Sequence, residues 1–449
     1  MRKKIICFLF FVLTSNLFAT PTQKKEIKNL KEADKKEFLK EKDRDEVVNI
    51  ITSTQPSPQG ILNKIADKLV FDIKGNPLLI LPIADSSKDL GLNFGIMPVV
   101  AIRNMKKDGD VSSVIAPSIN QNEYLGYTYT YRHYLFPTEK SLFVLRASLS
   151  DHAQKELFLH YYDPEIFNTK ARLNLEFRNW HNPKSSFYGY GPNSRKSDKA
   201  NYIFYLNGGE ASLTFPILNY IYFDYTPSFY ENRISNGIVG KDKFSNLYPV
   251  EYSLYSKDKQ IFTNRFSFLF DNTDHPFIPK IGSYIIFSMA FSRKNIGSDY
   301  EYSLYTIEMK DYYNYKLLDK SITAMRFMLQ WQTGENIPFY AMPTAGESTG
   351  LRMAGDGRFV DRAKILLNVE QRFTVVKAPV MKFLTELEIT PFLDIATVAE
   401  KVSKLSTGNF KYGPGMALRI VLRPQIVGTA DFAFGSEGLN TIVKINYPF

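Results

Sequence analysis

With 449 residues, a formal net charge of +10 and a mean hydropathy of -0.23, the chain is long enough for one large barrel or for two to three ordinary domains. Aromatics make up 14% of it, with 35 phenylalanines and 28 tyrosines against two tryptophans, an enrichment that suits the girdles of a membrane barrel. The single cysteine, Cys7, lies in an exported leader, so the mature chain has no thiol for a disulfide or a metal site.

The leader is residues 1–19. Arg2, Lys3 and Lys4 form a basic start, Ile5 to Leu13 an apolar stretch, and Leu17-Phe18-Ala19 a cleavage site before Thr20. Removing those three basic residues takes the charge from +10 to +7. With export and no clustered basic face, nucleic acid is excluded as a partner. Residues 20–76 read as a charged periplasmic extension and linker. Lys24 to Glu46 is mostly lysine, glutamate and aspartate with a thin helical stripe, Pro56 and Pro58 break any helix, and Ile61 to Leu69 suits one short helix.

From residue 77 to residue 449 short segments alternate with a period of two. Tyr127, Tyr129 and Tyr131 oppose Thr128, Thr130 and Arg132, while Leu173, Leu175 and Phe177 oppose Arg172, Asn174 and Glu176. Phe266, Phe268 and Phe270 oppose Arg265 and Ser267, and Met325, Phe327, Leu329 and Trp331 oppose Arg326 and Gln330. Charge on one face of nearly every strand excludes a sandwich with a dry core and fits lipid outside with water or a polar plug inside. No later apolar run approaches the roughly 18 residues of a membrane helix. A membrane-inserted chain must then close its sheet, because lipid offers no partner to a free edge. The fold class is therefore all-β, a transmembrane antiparallel barrel of about 16 strands at roughly 23 residues per strand and connection. It sits in the outer membrane, with outer-membrane lipid as a partner.

Gly346 to Phe359 is glycine-rich, lies between two alternating runs and carries Arg352. Downstream, Lys364, Asn368, Glu370 and Arg372 share one polar face, and Glu386, Glu388 and Asp394 share the polar face of the next segment. A loop folded onto that wall would let Arg352 grip Glu370, Asp394 or both, since a buried guanidinium needs carboxylates. The competing reading leaves Arg352 solvated in the loop. In the last segment Val443, Ile445, Tyr447 and Phe449 alternate with polar positions, which puts the terminal aromatic Phe449 at the lipid interface.

Phe270 to Gly282 resembles the Asp-x-Arg-x-x-Pro…Pro-x-x-Gly signature of the BamA/TamA outer-membrane family, also called the bacterial surface antigen family, through Asp271, Asp274, Pro276, Pro279 and Gly282. Gly346 to Phe359, with Gly350 and Arg352, resembles that family's inward-folded loop. Phe392-x-Asp394 resembles its Phe-x-Asp wall motif, and Gly413 to Phe449 its last three strands. The likeness spans about 77 to 449 with the motifs in order. It implies a 16-stranded barrel with a weak seam between first and last strands and a loop inside clasping Glu370 and Asp394.

Three departures qualify it. Leu351-Arg352-Met353-Ala354 lacks the loop's usual glycine and aromatic, Thr273 stands where the family often has arginine, and residues 20 to about 75 are too few and too charged for one POTRA domain. The resemblance thus implies a non-enzymatic barrel for insertion or translocation of proteins or lipids, with a separate periplasmic partner protein supplying receiving domains. The alternative is a passive pore or structural surface antigen. Gly346-Glu-Ser348-Thr-Gly350 matches a hydrolase nucleophile elbow in letters, but that motif needs a strand-turn-helix setting. His133, His152, His160, His181 and His275 are scattered without ligand spacing, so neither metal nor cofactor is expected.

Overall fold

The computed structural model describes residues 70–73, 76–87, 90–103, 111–138, 141–240, 242–275, 278–314, 321–380, 383–422, 426–445 and 447–449. The leader, the extension up to residue 69, and Pro276 lie outside them.

Twenty strands join in one sheet among the described residues, each antiparallel to its neighbours. Val111–Ile115 and Ser118–Asn122 are halves of one strand interrupted at Ala116 and Pro117, since both pair with Gly91–Arg103 and with Gly126–Leu135. Proline has no N–H to give a ladder, which is why the break falls there. Val70–Ile73 is a four-residue arm on the first full strand, Asn76–Ser87. Taking one off for the interrupted strand and one for the arm leaves eighteen across the wall. That is close to the expected 16, and more strands fit because connections on one side are as short as the two residues Asn219 and Tyr220. The arm starts the sheet at Val70, inside the stretch assigned to the extension, and Pro77, paired with Asp72, is the second residue of the first wall strand.

Asn76–Ser87 lies against the last strand, Asn440–Ile445, so the sheet closes. Among the described residues these two strands touch without a ladder between them. Closure removes the free edges that lipid cannot satisfy, and no described helix is long and apolar enough to cross a membrane. Side-chain parity follows the binary pattern: Tyr129 is 53% exposed beside Thr128 at 6%, and Phe268 54% beside Ser267 at 1%. In these strands the aromatics face out and the small polar residues face in.

An even strand number puts the start of Asn76–Ser87 and the end of Asn440–Ile445 at one rim. The long connections 188–199, 237–258 and 336–362 all lie at the other. They pack into an aromatic cap around Phe187, Phe244 and Phe339, with Phe187 and Phe339 centroids 4.4 Å apart. Two short helices in this cap, Phe244–Leu247 and Pro249–Tyr255, start without a side-chain cap and are held by burying Phe244 and Tyr255.

The C-terminus departs from expectation. Ile442 is buried and Val443 exposed, so alternation holds within the last strand, but the strand ends at Ile445. Tyr447 turns into the lumen, where its hydroxyl meets both carboxylate oxygens of Glu388 at 3.0 Å and its ring lies 3.9 Å from the Arg372 guanidinium. Phe449 follows it away from the lipid interface, and its carbonyl accepts from Arg372 Nη2 at 3.4 Å. Pro448 cannot donate to a ladder, and the lumen supplies the Tyr447 hydroxyl with Glu388 as its acceptor.

Candidate functional site

The segment 336–362 leaves the cap and descends into the barrel as a hairpin whose base pairs Thr344–Ala345 with Phe359–Val360. Leu351 N donates to Gly346 O at 2.8 Å, closing a tight turn over Glu347–Thr349. Gly350 follows at φ 107°, a left-handed conformation natural to glycine, and a Cβ there would come within 2.5 Å of Leu366 Cδ2. Leu351, Met353 and Ala354 are fully buried against the wall with Phe392 and Ala417.

This turn delivers Arg352, 1% exposed, to the wall strands Ala363–Val380, Phe383–Ala399 and Ile426–Ala433. Its Nε and Nη2 donate to the two oxygens of Asp394 at 2.9 and 2.7 Å, and its Nη1 donates to Glu370 at 2.8 Å. The backbone N–H of Arg352 also donates to Asp394 at 3.1 Å, while Asp431 lies 3.5 Å from Nη1. The Phe392 ring covers the guanidinium at 3.4 Å. Of the two partners expected from parity, the structure brings both to Arg352.

Glu370 is the hub. It accepts from Arg352, from Arg372 Nε at 3.0 Å and from both Nη atoms of Arg419 at 2.9 and 2.8 Å. Asn368 ties the loop down by donating to Gly350 O and to Asp394, each at 2.7 Å. Asn440, in the last strand, donates to Arg352 O at 2.9 Å. Burial works against the charge on Arg352, but Asp394 and Glu370 outweigh it and hold the guanidinium above its ordinary value. Arg352 is therefore a fixed cation at any working pH.

The missing loop glycine has a counterpart in the wall. A Cβ at Gly413 would come within 2.9 Å of Met353 Cγ, and one at Gly435 within 2.8 Å of its Sδ. Close approach is thus permitted from the wall side, and the cover over the guanidinium comes from Phe392 rather than from the loop.

The turn Asn272–Ile281 does separate work at the opposite rim. Asp271 accepts from Thr273 N and Oγ1 at 3.1 and 2.7 Å, so the threonine in the arginine position caps the strand end. Asp274 accepts from Lys280 N and Ile281 N at 2.9 and 3.2 Å, and Pro279 is buried. Gly282 has φ 105°, and a Cβ would meet Asn272 O at 2.7 Å. Ile278 from this turn reaches Val421, Val427 and Tyr447.

Parity alone did not single out Asn368, Arg419, Asp431 or Tyr447 as cluster members. Arg419, Thr429 and Asp431 each alternate with apolar neighbours, a signal sufficient to place them inside but silent on partners. Ser348 sits exposed in the short turn Glu347–Thr349 rather than between strand and helix, and its N–H donates to Asp356 at 2.8 Å. Among the described residues no group of His, Cys, Asp and Glu is arranged to hold a metal ion.

Residues 141–435 match the Omp85 superfamily domain. Similar solved structures include BamA from Haemophilus ducreyi lacking POTRA domains 1–3, 15% identical over 86% of this chain and 76% of that one, TM-score 0.50. CdiB from Acinetobacter baumannii is 10% identical over 83% and 59%, TM-score 0.41. Wzi, an outer-membrane protein involved in group 1 capsule assembly in Escherichia coli and described as a carbohydrate-binding β-barrel, is 8% identical over 83% and 84%, TM-score 0.37. No curated protein matches. The BamA likeness bears on fold alone, in agreement with the family resemblance carried by the motifs. With the domain match covering well over half its length, the chain belongs to the Omp85 superfamily and is an outer-membrane β-barrel.

Proposed function

We propose that the barrel acts in the insertion or translocation of proteins, or of lipids, at the outer membrane, through movement of the Arg352 loop and opening of the closure beside the last strand. The observation that carries this reading is the buried Arg352–Asp394–Glu370 clasp. A passive channel has no use for a loop that buries its tip arginine between two wall carboxylates, whereas a machine that changes shape needs an element with two discrete arrangements. The loop is tied through Asn440 to the short last strand, six residues long, at the closure. Loop release and strand release are thereby one event. A separate periplasmic partner supplies the receiving domains, and no step is enzymatic.

The test is Arg352→Ala in cells lacking the wild-type chain, scored by heat-modifiability of the barrel and by accumulation of other outer-membrane proteins. Unchanged barrel stability together with unchanged assembly removes the loop from the mechanism. The second reading, a passive pore or structural surface antigen, is favoured by a lumen cavity of about 660 Å³ bordered by Glu210, Asp224, Arg265 and Glu308. Single-channel recording separates them: large steady conductance supports the pore, and small flickering conductance the plugged barrel.

A further inference from the structure

Near the rim that bears the long loops, four successive strands present a row of basic and aromatic side chains to the outside. The registers Lys155–His181, His181–Tyr205 and Tyr205–Arg233 set them side by side across Lys155–Asp163, Arg172–Phe187, Ala200–Leu218 and Ile221–Asn236. The face is the lipid-facing one. Two or four residues nearer the membrane's middle on the same parity stand Leu157, Phe177 and Phe229, all exposed, while the opposite parity, with Ser212 and Asp224, lines the lumen cavity.

Tyr205 is the centre of the row. The His181 ring lies 4.6 Å from its ring, the Arg233 guanidinium stands 3.6 Å over it, and Ser235 Oγ donates to its hydroxyl at 3.3 Å. Arg233 pairs with Asp258 at 3.2 Å, an exposed contact that orients the fork and leaves N–H donors over. Lys155 is exposed and has no hydrogen-bond or ion-pair partner among the described residues. The other acid on this stretch of face is Glu231, one step toward the middle.

Cations just above an apolar belt sit at headgroup depth, where they bind anionic lipid. Lys155 and Arg233 are three strand spacings apart, about 14 Å at roughly 4.8 Å each, too far for one phosphate and suited to two. We infer that this row is a headgroup site for an outer-leaflet glycolipid carrying two phosphates. One phosphate is held at Lys155 and His181 and the other at Arg233, with the sugar lying across Tyr205 and His181.

The experiment is native mass spectrometry of the full chain released from phosphatidylcholine nanodiscs. The discs are doped with bis-phosphorylated lipid A, with the same lipid dephosphorylated, or with phosphatidylglycerol. Retention of the bis-phosphorylated lipid should exceed that of the dephosphorylated form by about tenfold or more, as two basic residues at a membrane surface imply. Lys155→Ala with Arg233→Ala should abolish the preference, Lys155→Arg with Arg233→Lys should keep most of it, and Lys401→Ala with Lys404→Ala, exposed loop lysines, should leave it unchanged. If the double alanine variant fails to insert, each single variant should lose part of the preference. Equal retention of the phosphorylated and dephosphorylated lipids overturns the inference. So does phosphatidylglycerol bound as well as lipid A, or a preference that survives in the alanine variants.

Discussion

The two halves of the lumen obey the same inside-outside alternation and end in opposite states. On the wall Ala200–Glu335 the inward charges border a cavity of about 660 Å³, where Asp224 accepts from Thr214 and Thr226 at 3.0 and 2.8 Å and Arg326 meets Glu308 at 2.7 Å beside open space. On the wall Ala363–Ile445 the inward charges are fully buried under the loop, three arginines on one glutamate. The difference lies in what descends on the wall. The second half offers Gly413 in the wall and Gly435 just past the strand Ile426–Ala433, where Met353 of the loop can pack close, so there water is replaced by a guanidinium and the same ionic wall becomes a dry clasp.

That contrast predicts unequal costs for removing an arginine. Arg352→Ala leaves Asp394 without a cation in a site closed to water, while Glu370 keeps Arg372 and Arg419, and breaking a buried pair from one side costs about 3–5 kcal/mol. Urea unfolding in detergent micelles should show a loss of that size, with Arg352→Lys recovering part of the charge but not the two-pronged contact with Asp394. The pH dependence should be flat on the alkaline side. The folded guanidinium is raised above its ordinary value, so its contribution is fully present below the unfolded arginine's value and is lost as pH rises through the higher folded one.

Next in size is Gly413→Val. The added atoms collide with Met353, 2.9 Å from the ideal Cβ, and overpacking of this kind costs about 1–3 kcal/mol. If the glycines are what make the second half dry, the variant should also expose the loop to protease while leaving the barrel closed. A fully protected loop in Gly413→Val would mean that the wall glycines do not set the difference.

Much of this was legible in the chain. Period-two alternation placed Glu370 and Asp394 on one inner wall because strand parity is local and needs no tertiary information, and Gly350 and Arg352 announced a loop with an unmet charge. Partner choice was not legible. Asp431 and Arg419 reach Arg352 and Glu370 only through the curvature of the closed sheet, which no local pattern encodes. The tail failed for a related reason: alternation carried Tyr447 and Phe449 outward on paper, but the ladder ends at Ile445 and Glu388, 59 residues before Tyr447, supplies the acceptor that turns it in.

Tyr447→Phe asks how far the clasp extends toward the chain-end rim. The variant keeps the ring under Arg372 and removes only the hydroxyl from Glu388, a buried carboxylate that then lacks a donor, for a loss of about 1–3 kcal/mol. A cost near zero would place water at Glu388 and shrink the dry region to the Arg352 turn.

The smallest effect belongs to the open half. Arg326→Ala removes a contact of 2.7 Å with Glu308, but Lys310 remains 3.6 Å from the same carboxylate and both Glu308 and Gln330 border the cavity. Water can therefore solvate what the arginine leaves, and the expected loss is under about 1 kcal/mol, as for other hydrated pairs. The same urea titration serves for both arginines. If Arg326→Ala costs as much as Arg352→Ala, the cavity is not wet in the sense argued, and the two halves of the lumen are one continuous ionic core.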